Sequence, residues 1–310
     1  MRIYTYRYGE ENKFGEGSRY EEKKCMLALG FFDGVHTAHR TLIEKGKRVA
    51  EERGIPLGIF TFSSDGSLKS GAPRIYADEE KLEIFESLGV DFTALADFSS
   101  LSHLSPEEFV EKVLISDLGA SACAAGFNFR FGRRASGNSD TLKRLMQKHG
   151  REVVIAEELT DSGETVSASR IRTLLSSGNI EEANRLLGVP YSIKGKVAHG
   201  NATGRRLGYP TVNLPVKEGG ALPKNGVYRS SVTIDEKEYN GLTNLGSCPT
   251  FEERKVHAET YLFDFSGDLY GKEVRVSFLE FLRDEQRFSS PEELKMQINI
   301  DINSIRKGIK

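Results

Sequence analysis

Two histidines near the start of the chain have the spacing of a catalytic pair. His36 and His39 are three residues apart in GFFDGVHTAH, which spans 30–39. Residues three apart lie on one face of a helix, so both imidazoles can donate hydrogen bonds to one phosphate group during a transfer. Three interpretations stay open from these residues alone: a phosphate site, a plain turn, or a zinc site, for which HxxH without a convincing third ligand is a weak signal.

The glycines beside these histidines suit an anion. Gly30 and Gly34 lie in a turn between an apolar strand and an amphipathic stretch that extends to about Arg53. Such a turn directs free backbone N–H groups and the positive end of a helix dipole at one point, where a phosphate is stabilised. The chain has neither a Rossmann GxGxxG nor a Walker GxxxxGK[ST] motif, so nucleotide phosphates would depend on this turn.

A second glycine-rich segment, HGNATGRRLGYPTVNL at 199–214, combines backbone freedom with hard oxygen ligands. Glycines allow the backbone to approach a phosphate closely, and an arginine adds positive charge. The Thr211 hydroxyl and the Asn213 amide oxygen are suited to Mg²⁺. From residue types alone, such a Gly-rich loop between strands is more often a mobile hairpin. The candidate phosphate contacts are Gly200, Gly204, Arg205 and Gly208.

Both segments need a scaffold, and the first half predicts an α/β domain with a parallel sheet. Its apolar runs lack polar alternation, which is expected when both faces of a strand are buried, and helical stretches separate them. Ser105 in SPEE and Ser290 in SPEEL predict N-capped helices, and further helices are predicted at 169–175 and 180–187. The predicted strands are 25–30, 57–62, 91–96, 120–125 and 152–157.

The second half changes character after Pro190. Its runs alternate or are rich in β-branched residues, and Gly, Pro and Asn interrupt them, which predicts an antiparallel β-barrel. The short join near 188–191 places the domain boundary after residue 188, giving domains at 1–188 and 189–310.

Composition excludes several other classes. A length of 310 residues suits two domains, and 43 basic residues against 45 acidic ones, mixed along the chain, suggest neither a nucleic-acid coat nor an acidic tail. The longest nearly unbroken apolar run, 25–32, is far shorter than the ~20 residues that span a bilayer. Three cysteines without CxxC spacing predict buried thiols in a reducing, cytoplasmic compartment.

GFFDGVHTAH resembles the GxFDGxHxGH signature of the nucleotidyltransferase module of prokaryotic bifunctional riboflavin kinase/FAD synthetases. GFNFRFGRRASGN at 126–138 resembles the G-x-[ND]-F-x-F-G segment of that family, and VSASRIR at 166–172 resembles its [VI]SSTxIR segment. The resemblance implies that Asn128 lies at the nucleotide and flavin site. It also implies catalytic roles for His36 and His39 and ATP or phosphate contacts for Gly30, Asp33, Gly34, Ser167, Ser169 and Arg172.

GKVAHGNATGRRLGYPTVNL at 195–214 resembles the riboflavin kinase signature GxVxxGxxxGRxLGxPTxN with every fixed residue retained. Later blocks extend the resemblance to about residue 305. Glu259 matches the catalytic carboxylate of that family, which accepts a proton from the ribityl 5′-hydroxyl. Arg283 in FLRDEQRF matches a position near the flavin, although an ordinary salt bridge is equally compatible with it.

Several residues depart from the family pattern in the first half. Ala38 replaces the glycine between the histidines, Phe31 stands where a small or polar residue is usual, and Ala168 replaces a serine of the SST run. TFSSDGS at 61–67 replaces TFxPHP. Losing a hydrogen-bond donor aimed at developing charge costs ~3 kcal/mol of transition-state stabilisation. A riboflavin kinase with a diverged or inactive adenylyltransferase is therefore one alternative.

The resemblance as a whole implies a Rossmann-like nucleotidyltransferase domain followed by a six-stranded antiparallel riboflavin kinase barrel with a terminal helix. It implies phosphorylation of riboflavin to FMN and adenylylation of FMN to FAD, with ATP as co-substrate and Mg²⁺ as cofactor. A non-catalytic flavin-binding regulator is the alternative from another class. Neither nucleic acid nor a membrane is an expected partner, and weak self-association is left open.

Overall fold

The structure is a computed structural model that describes residues 1–11, 13–14, 24–63, 71–199, 208–216, 219–249 and 254–308. Contacts divide the chain into two compact units, Met1–Ala168 and Ser169–Lys310. The sequence places the boundary after residue 188, whereas this division assigns the helices between residues 168 and 188 largely to the second unit.

The first unit contains a parallel sheet, as predicted. In its described part the sheet has six strands in the order β1-β4-β3-β2-β5-β6, and every neighbouring pair is parallel. Two core clusters cover its two faces, which explains why the inner strands read as continuous apolar runs. The strands are β1 (Arg2–Tyr6), β2 (Cys25–Leu29), β3 (Leu57–Phe62), β4 (Phe92–Ala96), β5 (Ala120–Gly126) and β6 (Glu152–Ala156).

β1 is absent from the predicted strands, the first of which begins at Cys25. β1 pairs in parallel with β4 at the edge of the sheet. Only alternate side chains are buried: Tyr4 and Tyr6 face the core, whereas Ile3 is 50% exposed. An edge strand with one buried face carries a weaker apolar signal than an inner strand.

Helices pack on both sides of this sheet. The predicted cap at Ser105 is confirmed, because the Ser105 hydroxyl accepts a hydrogen bond from the Glu108 N–H and the Glu108 carboxylate accepts one from the Ser105 N–H, both at 3.1 Å. The helix then continues as a π-helix over Phe109–Asp117. The helices of this unit are α1 (Thr37–Arg53), α2 (Asp78–Ser87), α3 (Phe98–Leu101), α4 (Pro106–Glu108) and α5 (Ser139–Lys148).

The second unit is a nearly closed antiparallel barrel. Six strands of its described part follow the order β7-β12-β9-β10-β11-β8, and a bridge between Ala198 and Asn213 links the edges. Side chains such as Tyr228 and Phe278 fill the interior. The strands are β7 (Ser192–Lys196), β8 (Thr211–Pro215), β9 (Gly226–Ile234), β10 (Lys237–Pro249), β11 (Arg254–Leu262) and β12 (Glu273–Arg283).

Among the described residues, the helices that accompany the barrel are α6 (Ala168–Ser177), α7 (Ile180–Leu187) and α8 (Pro291–Gly308). α7 is tied to β12 because Asn184 donates a hydrogen bond to the Phe278 carbonyl at 2.8 Å. Ile302 and Ile305 of α8 pack against Val227 and Leu242 on the outer face of the barrel. The predicted cap of α8 is also confirmed, because the Ser290 hydroxyl accepts a hydrogen bond from the Glu293 N–H.

Candidate active sites

The turn after β2 has an unusual backbone conformation. Phe32, Gly34 and Val35 all have positive φ, and the Val35 N–H donates to the Phe32 carbonyl at 3.2 Å. A β-branched residue rarely adopts positive φ, so this turn is held under strain, as is common at functional sites. α1 begins at Thr37, which confirms the predicted order of strand, glycine turn and helix.

Position 34 in this turn favours glycine, because Ile75 packs closely against it. A Cβ atom on Gly34 would lie 2.8 Å from Ile75 Cδ1, and the positive φ of 75° independently favours glycine. The Asp33 carboxylate accepts a hydrogen bond from the Ile75 N–H at 3.0 Å. Asp33 therefore fixes the turn against the segment before α2, and its phosphate contact stays a prediction.

The two histidines meet at the start of α1. Their rings are stacked with centroids 3.7 Å apart and an interplanar angle of 17°. His36 is 5% exposed, and the rings of Phe32 and His39 pack edge to face with centroids 5.2 Å apart. Within the described part of the chain, the Nδ1 atoms of both residues are buried without a hydrogen-bond partner. This arrangement confirms the prediction that His36 and His39 lie on the same face at the start of α1. The two stacked imidazoles lie side by side there.

Burial keeps both imidazoles neutral. It lowers the pKa of His36 to about 4, and it lowers the pKa of His39 well below its usual value with a further contribution from the neighbouring His36. A neutral imidazole has one N–H donor and one acceptor nitrogen. The pair can therefore donate hydrogen bonds to phosphate oxygens at neutral pH without carrying positive charge.

We expect acid to destabilise the first unit through His36. Because its folded pKa of about 4 lies below the ordinary value of 6.5, the unfolded chain binds more protons between these pH values. The free energy of unfolding should therefore fall as pH decreases through this interval, by roughly 3 kcal/mol from this group. Measured by urea unfolding, the free energy of unfolding should fall less between pH 7 and pH 4.5 for His36→Asn than for the parent protein. An equal fall in both proteins would contradict the assignment.

A charged cluster surrounds the ring of Phe31, the residue that departs from the family pattern. The Arg74 guanidinium lies 5.5 Å and the Lys81 ammonium 5.9 Å from the ring centroid. Lys81 is 3% exposed and lies 3.1 Å from an Asp78 carboxylate oxygen. Burial lowers the pKa of Lys81, and Asp78 opposes that shift. Lys81 is absent from the predicted site residues, although its spacing of four from the buried Phe85 indicates an inward position.

The remaining predicted residues of the first site lie either after β5 or at the start of α6. Asn128 follows β5, the parallel neighbour of β2, so it lies at the same sheet edge as the glycine turn. Ser167 directly precedes α6, whereas Ser169 and Arg172 lie on that helix in the second unit. Their contacts with phosphate stay predictions. Ala38 lies in the first turn of α1, and TFSSDGS lies outside the described residues beyond Ser63.

In the second unit, three polar residues align across adjacent strands. Glu259 on β11 stands opposite Asn213 on β8 and opposite Asn244 on β10. The neighbours Ala258 and Thr260 are buried inside the barrel, so Glu259 lies on the outer face. Asn213 is buried and Glu259 is half-buried. The row therefore places one carboxylate between two amides on a rigid sheet.

A cavity of about 310 Å³ opens beside Thr211. His199 stacks on Tyr270 at its rim, with ring centroids 3.9 Å apart. Gly208 has a φ of 91°, which favours glycine, whereas Gly200, Gly204 and Arg205 lie outside the described residues. The cavity is lined by Val197, Pro210, Thr211, Val212, Leu262, Phe265, Ser266, Gly267, Asp268, Leu269 and Tyr270.

The donor set beside this cavity fits magnesium better than zinc. Thr211 and Asn213 alternate on β8, so their oxygen atoms lie on one face of the strand. Two neutral oxygens leave the other positions of an octahedral ion for phosphate oxygens and water, as Mg²⁺ prefers. Across the described residues, no group of three or more His, Cys, Asp or Glu side chains is placed to hold a metal.

Arg283 forms a partly buried ion pair with Asp301. Its Nε lies 3.2 and 3.1 Å from the two carboxylate oxygens of Asp301, and its Nη2 lies 2.8 Å from one of them. Asp301 is 5% exposed and also accepts a hydrogen bond from Gln297. The salt bridge left open by the sequence is therefore present. A direct flavin contact of Arg283 stays a prediction.

Comparison with known proteins also assigns the two halves of the chain to two different domains. The riboflavin kinase family model matches residues 187–309, and the FAD synthetase family model matches residues 18–170. The bifunctional riboflavin kinase/FMN adenylyltransferase of Bacillus subtilis is 36% identical and covers 91% of both chains. The Escherichia coli K12 protein of the same name is 31% identical and covers 92% of both chains.

A solved structure has the same architecture. A crystal structure named a macrolide-efflux protein, from Streptococcus pneumoniae, superposes with a TM-score of 0.84 at 31% sequence identity, covering 93% of this chain and 95% of that one. The efflux name belongs to that protein, whereas both family models and the curated relatives refer to flavin chemistry. In the part of this chain that the structure describes, no helix is long and apolar enough to span a bilayer.

The fold and the two matched domains define a transferase with a nucleotidyltransferase domain and a kinase domain. More narrowly, the chain belongs to the family of bifunctional riboflavin kinase/FMN adenylyltransferases. The fold predicted from the sequence is thereby confirmed.

Proposed function

We propose that the outer face of the barrel transfers the γ-phosphate of ATP to the ribityl 5′-hydroxyl of riboflavin, giving FMN and ADP. The in-register row of Asn213 and Glu259 beside the cavity carries this proposal. ATP occupies the cavity next to Thr211, and riboflavin approaches from the side of Glu259. The donor phosphate and the acceptor hydroxyl then meet over two adjacent strands, where their positions are fixed.

In this reaction Glu259 accepts the hydrogen bond and then the proton of the 5′-hydroxyl as its oxygen attacks the γ-phosphorus. The bond from that phosphorus to the bridging oxygen breaks, and ADP leaves. The oxygens of Thr211 and Asn213 would hold Mg²⁺, which supplies charge neutralisation for the phosphate oxygens. The sheet holds the two strands that carry these groups one strand spacing apart, about 4.8 Å.

The turn of the first unit suits the second step, transfer of AMP from ATP to FMN. A phosphate oxygen of FMN attacks the α-phosphorus of ATP, and pyrophosphate leaves. His36 and His39 donate hydrogen bonds to the phosphate oxygens on which charge develops, and the N-terminus of α1 adds its dipole. Their neutral state matches the role of donor and requires no covalent intermediate.

The alternatives make different predictions about this second step. The departures at Ala38 and Ala168 keep a weakened or inactive adenylyltransferase open. Both family models describe enzymes, which favours a transferase over a non-catalytic regulator. The absence of nucleic-acid and membrane partners, weak self-association and a cytoplasmic location remain predictions from the sequence.

Two separate incubations of the purified full chain test both activities. Riboflavin with ATP and Mg²⁺ should yield FMN, and FMN with ATP and Mg²⁺ should yield FAD and pyrophosphate, both followed by chromatography. Excess EDTA should stop both reactions because the phosphates lose their counter-ion. Undetectable FAD at high enzyme concentration would reject the adenylyltransferase and leave the kinase. Flavin binding without any product would instead establish the regulator.

A further inference from the structure

We propose that Glu285 and Asn244 are positioning residues of the kinase reaction, fixing the amide beside the catalytic carboxylate Glu259. This inference rests on the proposed riboflavin kinase activity. Glu285 lies two residues after Arg283 in FLRDEQRF, and the sequence assigns a role in the site to neither Glu285 nor Asn244. Asn244 stands directly opposite Glu259 on the neighbouring strand, and Glu285 follows the end of β12.

The Asn244 amide is oriented by one hydrogen bond. Its Nδ2 donates to Oε1 of Glu285 at 3.3 Å. A carboxylate accepts hydrogen bonds but cannot donate them, so the flipped amide would place two oxygens against each other. Glu285 therefore excludes one of the two amide orientations. The riboflavin hydroxyl that binds beside Glu259 then faces an Asn244 amide whose donor and acceptor atoms have fixed positions.

Gly246 makes room for this contact. Asn244 and Gly246 alternate on β10, so they lie on the same face of the strand. A methyl group on Gly246 would overlap the carboxylate of Glu285 and would lie 2.8 Å from its Cδ atom. The carboxylate therefore lies close against the strand, and the missing side chain at position 246 is what admits it.

The two residues that precede Glu285 anchor the start of its loop. Arg283 is held by the partly buried ion pair with Asp301 of α8, and its Nη1 donates to the Asp284 carbonyl at 3.1 Å. The Asp284 carboxylate lies 2.6 Å from the Lys224 ammonium. Glu285 is thus an exposed residue that directly follows two anchored ones, so its carboxylate can orient the Asn244 amide.

A positioning role of Glu285 can be distinguished by experiment from a role in the stability of the fold. A single exposed hydrogen bond contributes little to folding, because water replaces it in the unfolded chain. In contrast, a small misplacement of groups around reacting atoms lowers a rate by up to about 100-fold. Variants of Glu285 should therefore change turnover while the folded state and ATP binding persist.

The test measures kcat for riboflavin phosphorylation and KM for ATP in variants of the full chain. Glu285→Ala should lower kcat by about tenfold to 100-fold, with KM for ATP changed less than about twofold because no nucleotide contact is lost. Glu285→Gln should restore kcat to within about threefold of the parent, since its amide oxygen accepts the same hydrogen bond. Gly246→Ala, which displaces the carboxylate without altering it, should reproduce the loss seen for Glu285→Ala.

A matched control and a double variant sharpen the result. Glu236→Ala removes a carboxylate from the turn before β10, about 26 Å from Asn244 along the strand, and should leave kcat unchanged. Asn244→Ala combined with Glu285→Ala should be no slower than Asn244→Ala alone, because the two residues act as one unit.

Two outcomes would overturn the inference: Glu285→Ala with the kcat of the parent, or a folded Glu285→Gln as slow as Glu285→Ala. If Gly246→Ala fails to fold by circular dichroism, the comparison of the alanine and glutamine variants at position 285 still decides. Failure of the proposed function has a different signature, because the parent protein itself would then form no FMN.

Discussion

Replacing Glu259 by Gln is expected to abolish FMN formation while conversion of FMN to FAD continues. The amide cannot accept the proton of the 5′-hydroxyl, and general-base catalysis of this kind contributes about 10²–10⁴ in rate. The substitution preserves the shape of the side chain on β11, so Asn213 and Asn244 keep their registers opposite it. Chromatography of the two separate incubations measures both activities in one preparation.

Glu273→Gln is the matched control for this prediction. It makes the same chemical change on a barrel strand, at a residue whose carboxylate lies 2.9 Å from Lys194 and is 56% exposed. An exposed ion pair contributes little to stability, so both activities should stay within about twofold of the parent. Loss of both activities together in a folded Glu259→Gln would show that the two sites are not separate.

The sequence predicts the inner strands of the first unit well, because their physical signal is local. A strand such as Cys25–Leu29, buried at every residue, appears as an unbroken apolar run. The cap at Ser105 is likewise complete within four residues. β1 escaped prediction because its burial is one-sided and depends on a partner strand 90 residues away.

The candidate sites likewise contain local motifs, which the sequence predicts, and contacts between distant residues, which it does not. The histidine turn and the Thr-x-Asn segment are contiguous motifs, so residue type and spacing are enough to indicate them. The contact of Lys81 with the ring of Phe31 joins residues 50 apart in the chain, and the contact of Glu285 with Asn244 joins residues 41 apart. Such pairs depend on how loops pack over strands, which local patterns do not encode.

Replacing either histidine of the stacked pair is expected to abolish FAD formation while phosphorylation of riboflavin continues. His36→Ala and His39→Ala each remove a hydrogen-bond donor aimed at the phosphate oxygens, a loss of about 10²–10³ in rate. Because burial lowers the pKa of His36 to about 4, the ring is neutral above about pH 5. The rate of FAD formation should therefore show no histidine ionisation between pH 6 and pH 8, measured with the parent protein.

The rings are also part of the core of the first unit, so the variants must separate chemistry from folding. His39→Gln keeps an N–H donor, and recovery of part of the activity lost in His39→Ala would assign the role to hydrogen bonding. His149→Ala removes a partly exposed imidazole from the same unit, where it pairs with Glu111 at 3.4 Å, and should leave FAD formation unchanged. Full FAD formation by a folded His36→Ala variant would exclude the histidine turn as the adenylyl-transfer site. An acidic limb near pH 6.5 in the rate of FAD formation by the parent protein would show instead that a histidine ring reacts as a cation.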